Sequence, residues 1–443
     1  MSPPTSDHEA DPLSSEAQNA ELVLTVAKVL YSNGQMTDQV IDAAQRLAAA
    51  LGLNATLVAR WAGLSLVETS TTPTTRAPQV LGWVKVSPTA VNMDRVAAAM
   101  RVIADVEAGR LRPAQACAKL NAIATRPPAT DWAFALAAAA GAVALAVIFG
   151  LRHVTAAMLI FASVGIGALL RRKLGRRTGN LFIQPFTAAL LAGIVGAVAV
   201  RLDLSSSLRL VAVCPCMVLV PGPHLLNAAA DVLKGRLKLG GCRLVYAGLI
   251  IGSIAAGLLL GLATLGVSLP AEPAAVAVSI WGDMIASGIA VLAFSVFFST
   301  PARMILWPVT VGVSAHVARW WLLTLGCDLA TAAFVACALA GVALTPISHR
   351  YHMPFAAIGF AAVVSLIPGV FLFRLASGLI TMVQGLSDDI GRQEMMSNAM
   401  TSANILLAMS LGLIGPKLLI DRFVPHNRLH GPHRVTSVNQ KPL

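Results

Sequence analysis

The spacing of apolar residues divides the chain into two unlike parts. Residues 1–130 hold more than half of the Asp and Glu residues and contain no apolar run of 18 residues. From Trp132 onward, long apolar runs follow one another with only short polar interruptions. Because a helix that crosses a bilayer needs about 20 mostly apolar residues, this pattern predicts an amino-terminal soluble domain followed by a membrane domain.

Within the amino-terminal part, the spacing changes from helical to alternating and then back to helical. Helical spacing predicts helices, and alternation with β-branched residues predicts half-buried strands. The predicted order is two helices, three strands and two helices, over 21–34, 38–52, 55–61, 64–70, 78–86, 92–109 and 113–124. Helices beside a small antiparallel sheet make an α+β domain.

Ten apolar runs in the second part are long enough to span a bilayer. They cover 132–151, 154–170, 181–200, 210–233, 243–266, 276–298, 302–323, 327–346, 355–383 and 398–419. Basic residues concentrate in alternate connections, namely 171–177, 234–243 and the tail after 416, whereas 268–273 and 384–397 carry little positive charge. Since basic loops stay in the cytoplasm, we expect a multi-pass protein of the cytoplasmic (inner) membrane with both termini cytoplasmic.

Composition agrees with a membrane protein. The chain is 56% hydrophobic and 12% charged, about half the charged fraction of a typical soluble domain. Its net charge of +12 does not predict nucleic-acid binding, because the basic residues cluster at the ends of apolar runs. The sequence shows no nucleophile motif, metal-ligand spacing or phosphate loop, and its six cysteines form no disulfide framework. We therefore expect neither an enzyme nor a cofactor.

A proline-glycine pair interrupts the fourth apolar run and another interrupts the ninth. Pro221-Gly222 and Pro368-Gly369 are 147 residues apart, and a nearly equal offset aligns 156–170 with 302–316. These matches predict an internal repeat of two five-helix halves. Because each half has an odd number of spans, the second half would enter the membrane in the opposite direction.

The predicted fold is therefore a polytopic α-helical membrane protein with about ten transmembrane helices. These form two inverted five-helix repeats behind a small cytoplasmic α+β domain. The predicted divisions are a disordered tail (1–18), the α+β domain (19–130), the first repeat (131–267), the second repeat (276–420) and a cytoplasmic tail (421–443).

The two interrupted helices also predict a binding site. Proline removes a backbone donor, and lipid cannot satisfy the groups that a break exposes, so a break must face protein or a water-filled cavity. The alternative is a pair of proline kinks that serve packing alone. The predicted substrate-binding residues are Pro221, Gly222, His224, Asn227, Pro368, Gly369, Arg374 and Asn404.

Individual polar residues of these helices suggest particular roles. The guanidinium of Arg374 is shaped to bind a carboxylate, although it is also able to snorkel to the outer surface. Asp283, His316 and Arg319 reach a similar depth. They are candidates for proton coupling because histidine titrates near neutral pH, and the alternative is a structural ion pair.

Several segments resemble the threonine/serine exporter family across residues 20–420. They are "VLYSNGQMTDQVIDAAQRLAAALGL", "VNMDRVAAAMRVI", "VPGPHLLNAAADVLKGR", "TPARMILWPVTVGVSAHVAR" and "LIPGVFLFR". The resemblance implies a secondary transporter that exports threonine and serine, driven by the proton gradient. Its partners would be a small-molecule substrate, protons and the lipid bilayer, and a homo-oligomer is compatible with it.

Other functions remain open at this point. Two-part members of this family are associated with dicarboxylate export, so a small dicarboxylate such as succinate is an alternative substrate. A membrane hydrolase that uses the soluble domain, and a membrane scaffold or receptor whose cavity only senses a ligand, are alternatives from other functional classes.

Overall fold

The computed structural model describes residues 12–69, 79–202, 208–267, 278–351, 353–383, 385 and 388–423. Parts of several predicted segments lie outside these residues. They are the amino-terminal tail up to residue 11, the connection 268–273, and the carboxy-terminal tail from residue 424.

The first part of the chain folds into four helices and a three-stranded sheet, which we call the amino-terminal unit. Its elements are α1 (Pro12–Ser32), α2 (Thr37–Ala50), β1 (Ala55–Arg60), β2 (Gly63–Glu68), β3 (Val80–Lys85), α3 (Met93–Glu107) and α4 (Pro113–Ala124). The order of helices and strands is the predicted one. However, α1 begins at Pro12, so residues 12–18 are helical where the sequence predicted disorder.

The sheet of the amino-terminal unit is antiparallel and has the order β1-β2-β3. Leu64 and Leu66 on β2 are fully buried, as alternation requires of a sheet with one covered face. Helix α1 packs against β2 and β3 and also against the other three helices of the unit. The amino-terminal end of α3 is capped by Asn92, whose side chain accepts a hydrogen bond from the Arg95 amide.

The rest of the chain is almost entirely helical. Its helices are α5 (Asp131–Ile148), α6 (Val154–Arg177), α7 (Ile183–Arg201), α8 (Leu208–Met217), α9 (Gly222–Leu233), α10 (Leu237–Ala263), α11 (Ile280–Phe297), α12 (Leu306–Thr324), α13 (Leu329–Arg350), α14 (Phe355–Val363), α15 (Gly369–Val383) and α16 (Asp389–Phe423). Short 3-10 helices lie at Ala302–Met304 and Val364–Leu366.

Among the described residues, seven helices are long and apolar enough to cross a membrane. Two further pairs are bent at a short break, α8 with α9 by 55° and α14 with α15 by 67°, which gives up to nine spans if each pair is one. The chain is therefore a polytopic membrane protein. Of the ten predicted spans, the seventh, 302–323, is the one missing from these nine; it contains α12, which carries the polar residues His316 and Arg319.

Two predicted connections are shorter than the charge pattern suggested. The basic stretch 171–177 belongs to α6, because Arg, Lys and Leu favour a helix and continue the apolar segment. The stretch 234–243 lies mostly in α10, since Gly235 adopts φ 76° and ends α9 within a single turn.

The same helix pairs pack together in the two halves of the membrane part. Helix α7 lies against α10 in the first half, and α13 lies against α16 in the second. The first helix of each bent pair also packs against equivalent helices of its half. Helix α8 lies beside α6 and α7, and α14 lies beside α12 and α13. The halves meet where α5 packs on α11, α10 on α15, and α9 on α16.

Glycines allow the closest of these helix pairs to form. A Cβ atom on Gly261 of α10 would lie 2.4 Å from the carbonyl oxygen of Leu190, and one on Gly412 of α16 would lie 2.4 Å from that of Phe334. Since lipid supplies no hydrophobic drive between helices, association in a membrane depends on close backbone approach at small residues. Both halves therefore use the same packing device.

We expect Gly261→Ala to destabilise the protein by about 1–3 kcal/mol, because the methyl group forces α7 and α10 apart. Gly248→Ala is the matched control, since Gly248 lies on the same helix with nothing within 4 Å of its would-be Cβ atom. Thermal unfolding of both purified variants in detergent measures the difference. Equal melting temperatures would contradict this account of the interface.

Candidate functional site

The two helix breaks have the same local structure. Pro221 has φ −78° and ψ 60°, which is the geometry of an inverse γ-turn. The amide of Gly222 donates to the carbonyl of Val220 at 2.8 Å across this turn. At the second break, the amide of Gly369 donates to the carbonyl of Ile367 at 2.7 Å. Each glycine amide is thus satisfied locally, inside the protein.

The two breaks also contact each other. A Cβ atom on Gly222 would lie 2.4 Å from Cδ1 of Ile367, and one on Gly369 would lie 3.4 Å from Cε of Met217. Each glycine therefore faces the residues that precede the opposite break. A side chain at Gly222 would push the two bent helices apart.

A narrow cavity lies where the breaks meet. Its walls are Leu145, Met217, Val220, Phe294, Val364, Ser365, Ile367 and Gly369. Most of these residues come from the turn before each break, and Gly369 is the one predicted substrate-binding residue among them. The wall is apolar except for the hydroxyl of Ser365 and the backbone of the breaks.

A buried chain of polar side chains ends at this cavity. Nε2 of His316 lies 2.8 Å from Oγ of Ser365, and Nδ1 of His316 lies 3.3 Å from Oδ2 of Asp283. All three residues are buried. Arg319, one turn after His316, interacts electrostatically with Asp283. The structure thus brings the three predicted proton-coupling residues together.

Ser365 was missed by the sequence analysis. A serine is an ordinary residue in a membrane helix, and its position three residues before Pro368 was the only available signal. Its importance becomes visible once α12 and the second break are seen side by side.

The polar residues after the first break lie away from this cavity. The side-chain amide of Asn227 donates to the carbonyl of Gly34 at 3.3 Å, and its Oδ1 atom is buried with no hydrogen-bond partner among the described residues. His224 packs edge-on against Tyr246, with ring centroids 5.3 Å apart. Both residues face the amino-terminal unit, whose position the sequence did not show.

The two remaining predicted substrate-binding residues are more peripheral. Arg374 is half-buried on α15, and Asn404 is exposed on the surface of α16. Neither lines the cavity between the breaks. Helical periodicity alone does not show which face of α16 packs inward.

The amino-terminal unit is fastened to the first half by a buried ion pair. Oδ2 of Asp231 lies 3.0 Å from Nε of Arg243, which is fully buried. The hydroxyl of Thr37 joins the two, because it donates to Asp231 at 3.0 Å and accepts from Arg243 at 3.2 Å. Tyr31 adds its ring, 5.5 Å from the guanidinium carbon of Arg243.

A second ion pair lies beside the first and is less buried. Asp38 of α2 pairs with Lys234 at the end of α9. Burial raises the pKa of Asp38, but the Lys234 ammonium outweighs this effect and holds the pKa below its usual value. The carboxylate therefore stays charged at neutral pH.

Two family models match the amino-terminal unit and most of the membrane part. A family model for threonine/serine exporters matches residues 21–265, and a second model, "Threonine/Serine exporter, ThrE", matches residues 283–419. A "Probable threonine/serine exporter" of Mycobacterium tuberculosis is 26% identical over 373 residues, which make up 80% of this chain and 68% of that protein.

One further relative matches a shorter region. An "Uncharacterized protein" of Haemophilus influenzae is 31% identical over 147 residues, or 32% of this chain. The match spans about half of that relative, 48% of its length. No solved structure matches the chain.

We expect Asp231→Asn to destabilise the protein by about 3–5 kcal/mol, because it leaves Arg243 buried without its main counter-charge. Asp38→Asn removes the second pair, whose side chains are only 21% and 20% exposed, and should cost less, about 1 kcal/mol. Thermal unfolding, together with protease sensitivity of the linker 125–130, measures both effects. Similar losses in the two variants would contradict the assignment of Asp231 and Arg243 as the main attachment.

Proposed function

Because the chain belongs to the threonine/serine exporter family, whose model matches more than half of it, we propose that it exports threonine, serine or similarly small hydroxy amino acids. The proposed mechanism is secondary transport across the cytoplasmic membrane, coupled to the proton gradient. The observation that carries the proposal is the contact between two interrupted helices inside the membrane part.

Interrupted helices at matching positions of two halves are the usual location of a transporter's substrate site. Here the breaks touch through Gly222 and Gly369, and a cavity lies between them. The same helix pairs pack in each half, and each half has five segments when a bent pair counts as one. An odd number of spans supports an inverted repeat, in which one half rocks against the other.

The substrate would bind beside the segments that carry the two proline turns. Pro221, Gly222, Pro368 and Gly369 would present backbone groups to it. His224 and Asn227 would line the path from the amino-terminal unit to the break, since both are buried on α9 between these two regions.

Arg374, on the helix after the second break, would contact a carboxylate only in a different arrangement of the halves. Asn404, exposed on α16, is left out of the proposed site.

Proton coupling would use the chain Asp283–His316–Ser365. Histidine changes its charge near neutral pH, and Nε2 of His316 is held by the hydroxyl of Ser365. Protonation of His316 turns both ring nitrogens into donors, so Ser365 must then act as the acceptor. Because Ser365 lies on the 3-10 turn before Pro368, this change acts directly on the second break.

Charge distribution supports a cytoplasmic location for the amino-terminal unit. Lys234, Arg236 and Arg243 lie where α9 and α10 meet this unit, and Arg172 with Arg176 pairs with Asp131 at the start of α5. These basic residues and the amino-terminal unit lie at the same ends of the membrane helices. By the positive-inside rule, we infer that these ends face the cytoplasm.

The function is tested by counterflow in proteoliposomes that contain the full chain. Internal threonine or serine should drive uptake of labelled threonine. Internal succinate driving equal uptake would instead favour the dicarboxylate alternative. Folded protein that exchanges no amino acid and no dicarboxylate would refute the transport proposal.

Proton coupling predicts a specific pair of defects. His316→Ala and Asp283→Asn should keep threonine exchange but lose most of the acceleration that an imposed pH gradient gives to the wild type. Ser314→Ala is the matched control, because its hydroxyl lies on the same helix, is exposed and bonds only within that helix. A full response to the gradient in both variants would show that protons use another route.

A further inference from the structure

A second narrow cavity lies between the first half and α11 of the second, beside the segment that leads into the Pro221 break. Helices α5, α6, α7 and α11 surround it, and Pro215, Val218 and Leu219 close one side. Its wall is apolar apart from two residues of α6, Ser163 and Arg171. The sequence analysis had placed Arg171 in a cytoplasmic connection, outside the membrane helices.

Arg171 pairs with no carboxylate among the residues that the structure describes. The nearest ring is that of Phe297, 5.6 Å from the guanidinium carbon, and its electrostatic neighbours are Tyr246 and Arg172. Arg172 differs sharply, because it donates to Asp131 at 2.9 Å. Arg171 is partly exposed, and because its guanidinium has no carboxylate partner among the described residues, it is available to an anion that enters the cavity.

Ser163 is the second polar group in this cavity. It is 3% exposed, and its Oγ atom has no hydrogen-bond partner among the described residues. Buried hydroxyl groups are normally paired, so an unpaired one that lines a cavity indicates a missing ligand or water.

The two residues lie on one face of α6. Positions 163, 164, 167, 168 and 171 all line the cavity, as helical spacing requires. Ser163 and Arg171 are about 12 Å apart along the helix axis. Gly167, between them, lets α7 approach, since a Cβ atom there would lie 3.6 Å from Cβ of Ala188.

We propose that this cavity binds the carboxylate of the transported substrate, with Arg171 as the main ligand and Ser163 as a second hydrogen-bonding group. The guanidinium fork matches a carboxylate with two parallel hydrogen bonds. The hydroxyl of Ser163 is suited to the ammonium or hydroxyl group of a small hydroxy amino acid. The inference rests on the proposed function and names the substrate group that this site recognises.

The cavity beside Arg171 adjoins the segment that precedes the Pro221 break, so a ligand bound there would contact this segment directly. Pro215, Val218 and Leu219 line this cavity, while Met217 and Val220 of the same segment line the cavity between the breaks. A carboxylate held by Arg171 therefore contacts the segment whose other side touches Ile367 and Gly369.

The test compares threonine with threoninol, in which a hydroxymethyl group replaces the carboxylate. Binding to the purified full chain in nanodiscs is measured by calorimetry. Wild type should prefer threonine, and Arg171→Gln should lower threonine affinity by roughly 10- to 150-fold with little change for threoninol. Arg172→Gln is the matched control and should keep the preference. Ser163→Ala should cost roughly 2- to 10-fold.

The outcomes separate this inference from the proposed function. If Arg171→Gln is folded and still prefers threonine as wild type does, the carboxylate site lies elsewhere although export stands. If wild type binds and exchanges no small carboxylate, both proposals fail. A purely structural Arg171 would lower the melting temperature of Arg171→Gln and leave the threonine preference intact, which also overturns the inference.

A second measurement needs no variant. Phenylglyoxal modifies accessible arginines, and mass spectrometry locates the modified residues in the wild-type chain. Threonine should protect Arg171 from modification, and threoninol should not. Equal modification of Arg171 with and without threonine would contradict the proposal even if Arg171→Gln did not fold.

Discussion

The molecule depends on one constraint, which is that a helix broken inside a bilayer must satisfy its backbone within the protein. Both breaks meet this constraint with the same proline-centred turn, in which the following glycine amide bonds back to the residue before the proline. The turns then pack on each other through Gly222 and Gly369. Since each break shields the other from lipid, neither can straighten or separate without exposing its partner, and the two must move together.

The amino-terminal unit adds a second constraint, because it holds the helix that follows the first break. Thr37 bridges Asp231 and Arg243, and the carbonyl of Gly34 accepts from Asn227. Asn227 and Asp231 lie one turn apart on α9, so the unit contacts the same face of that helix twice. Removing one partner of a buried ion pair strongly destabilises the protein, because the other charge is left buried and unpaired. Any rearrangement of α9 must therefore carry the amino-terminal unit with it or break these contacts.

Sequence periodicity predicted the elements well and the contacts between distant elements poorly. Strands, helices and both breaks follow from local spacing and from proline chemistry. The grouping of Asp283 with His316 also followed, since an intramembrane charge needs a partner. Ser365 and Arg171 were missed, one because serine is common in membrane helices and the other because a basic stretch resembles a loop. The position of His224 and Asn227 against the amino-terminal unit could not be predicted, because nothing local in the sequence reveals that this unit covers them.

The two halves repeat their packing but not their chemistry, and the proposed mechanism assigns each half a separate task. The first half carries an arginine that no described carboxylate neutralises, and the second half carries a carboxylate, a histidine and a hydroxyl in contact. Both sets of side chains reach the short segment Met217–Val220, one through the cavity beside Arg171 and the other through the cavity beside Ser365. Val218 and Leu219 of this segment line the first cavity, and Met217 and Val220 line the second. In the proposed mechanism, an anion on one side and a proton on the other would therefore act on the same few residues. The proposed coupling between substrate and proton would then need no long pathway, because a segment of four residues separates the two cavities.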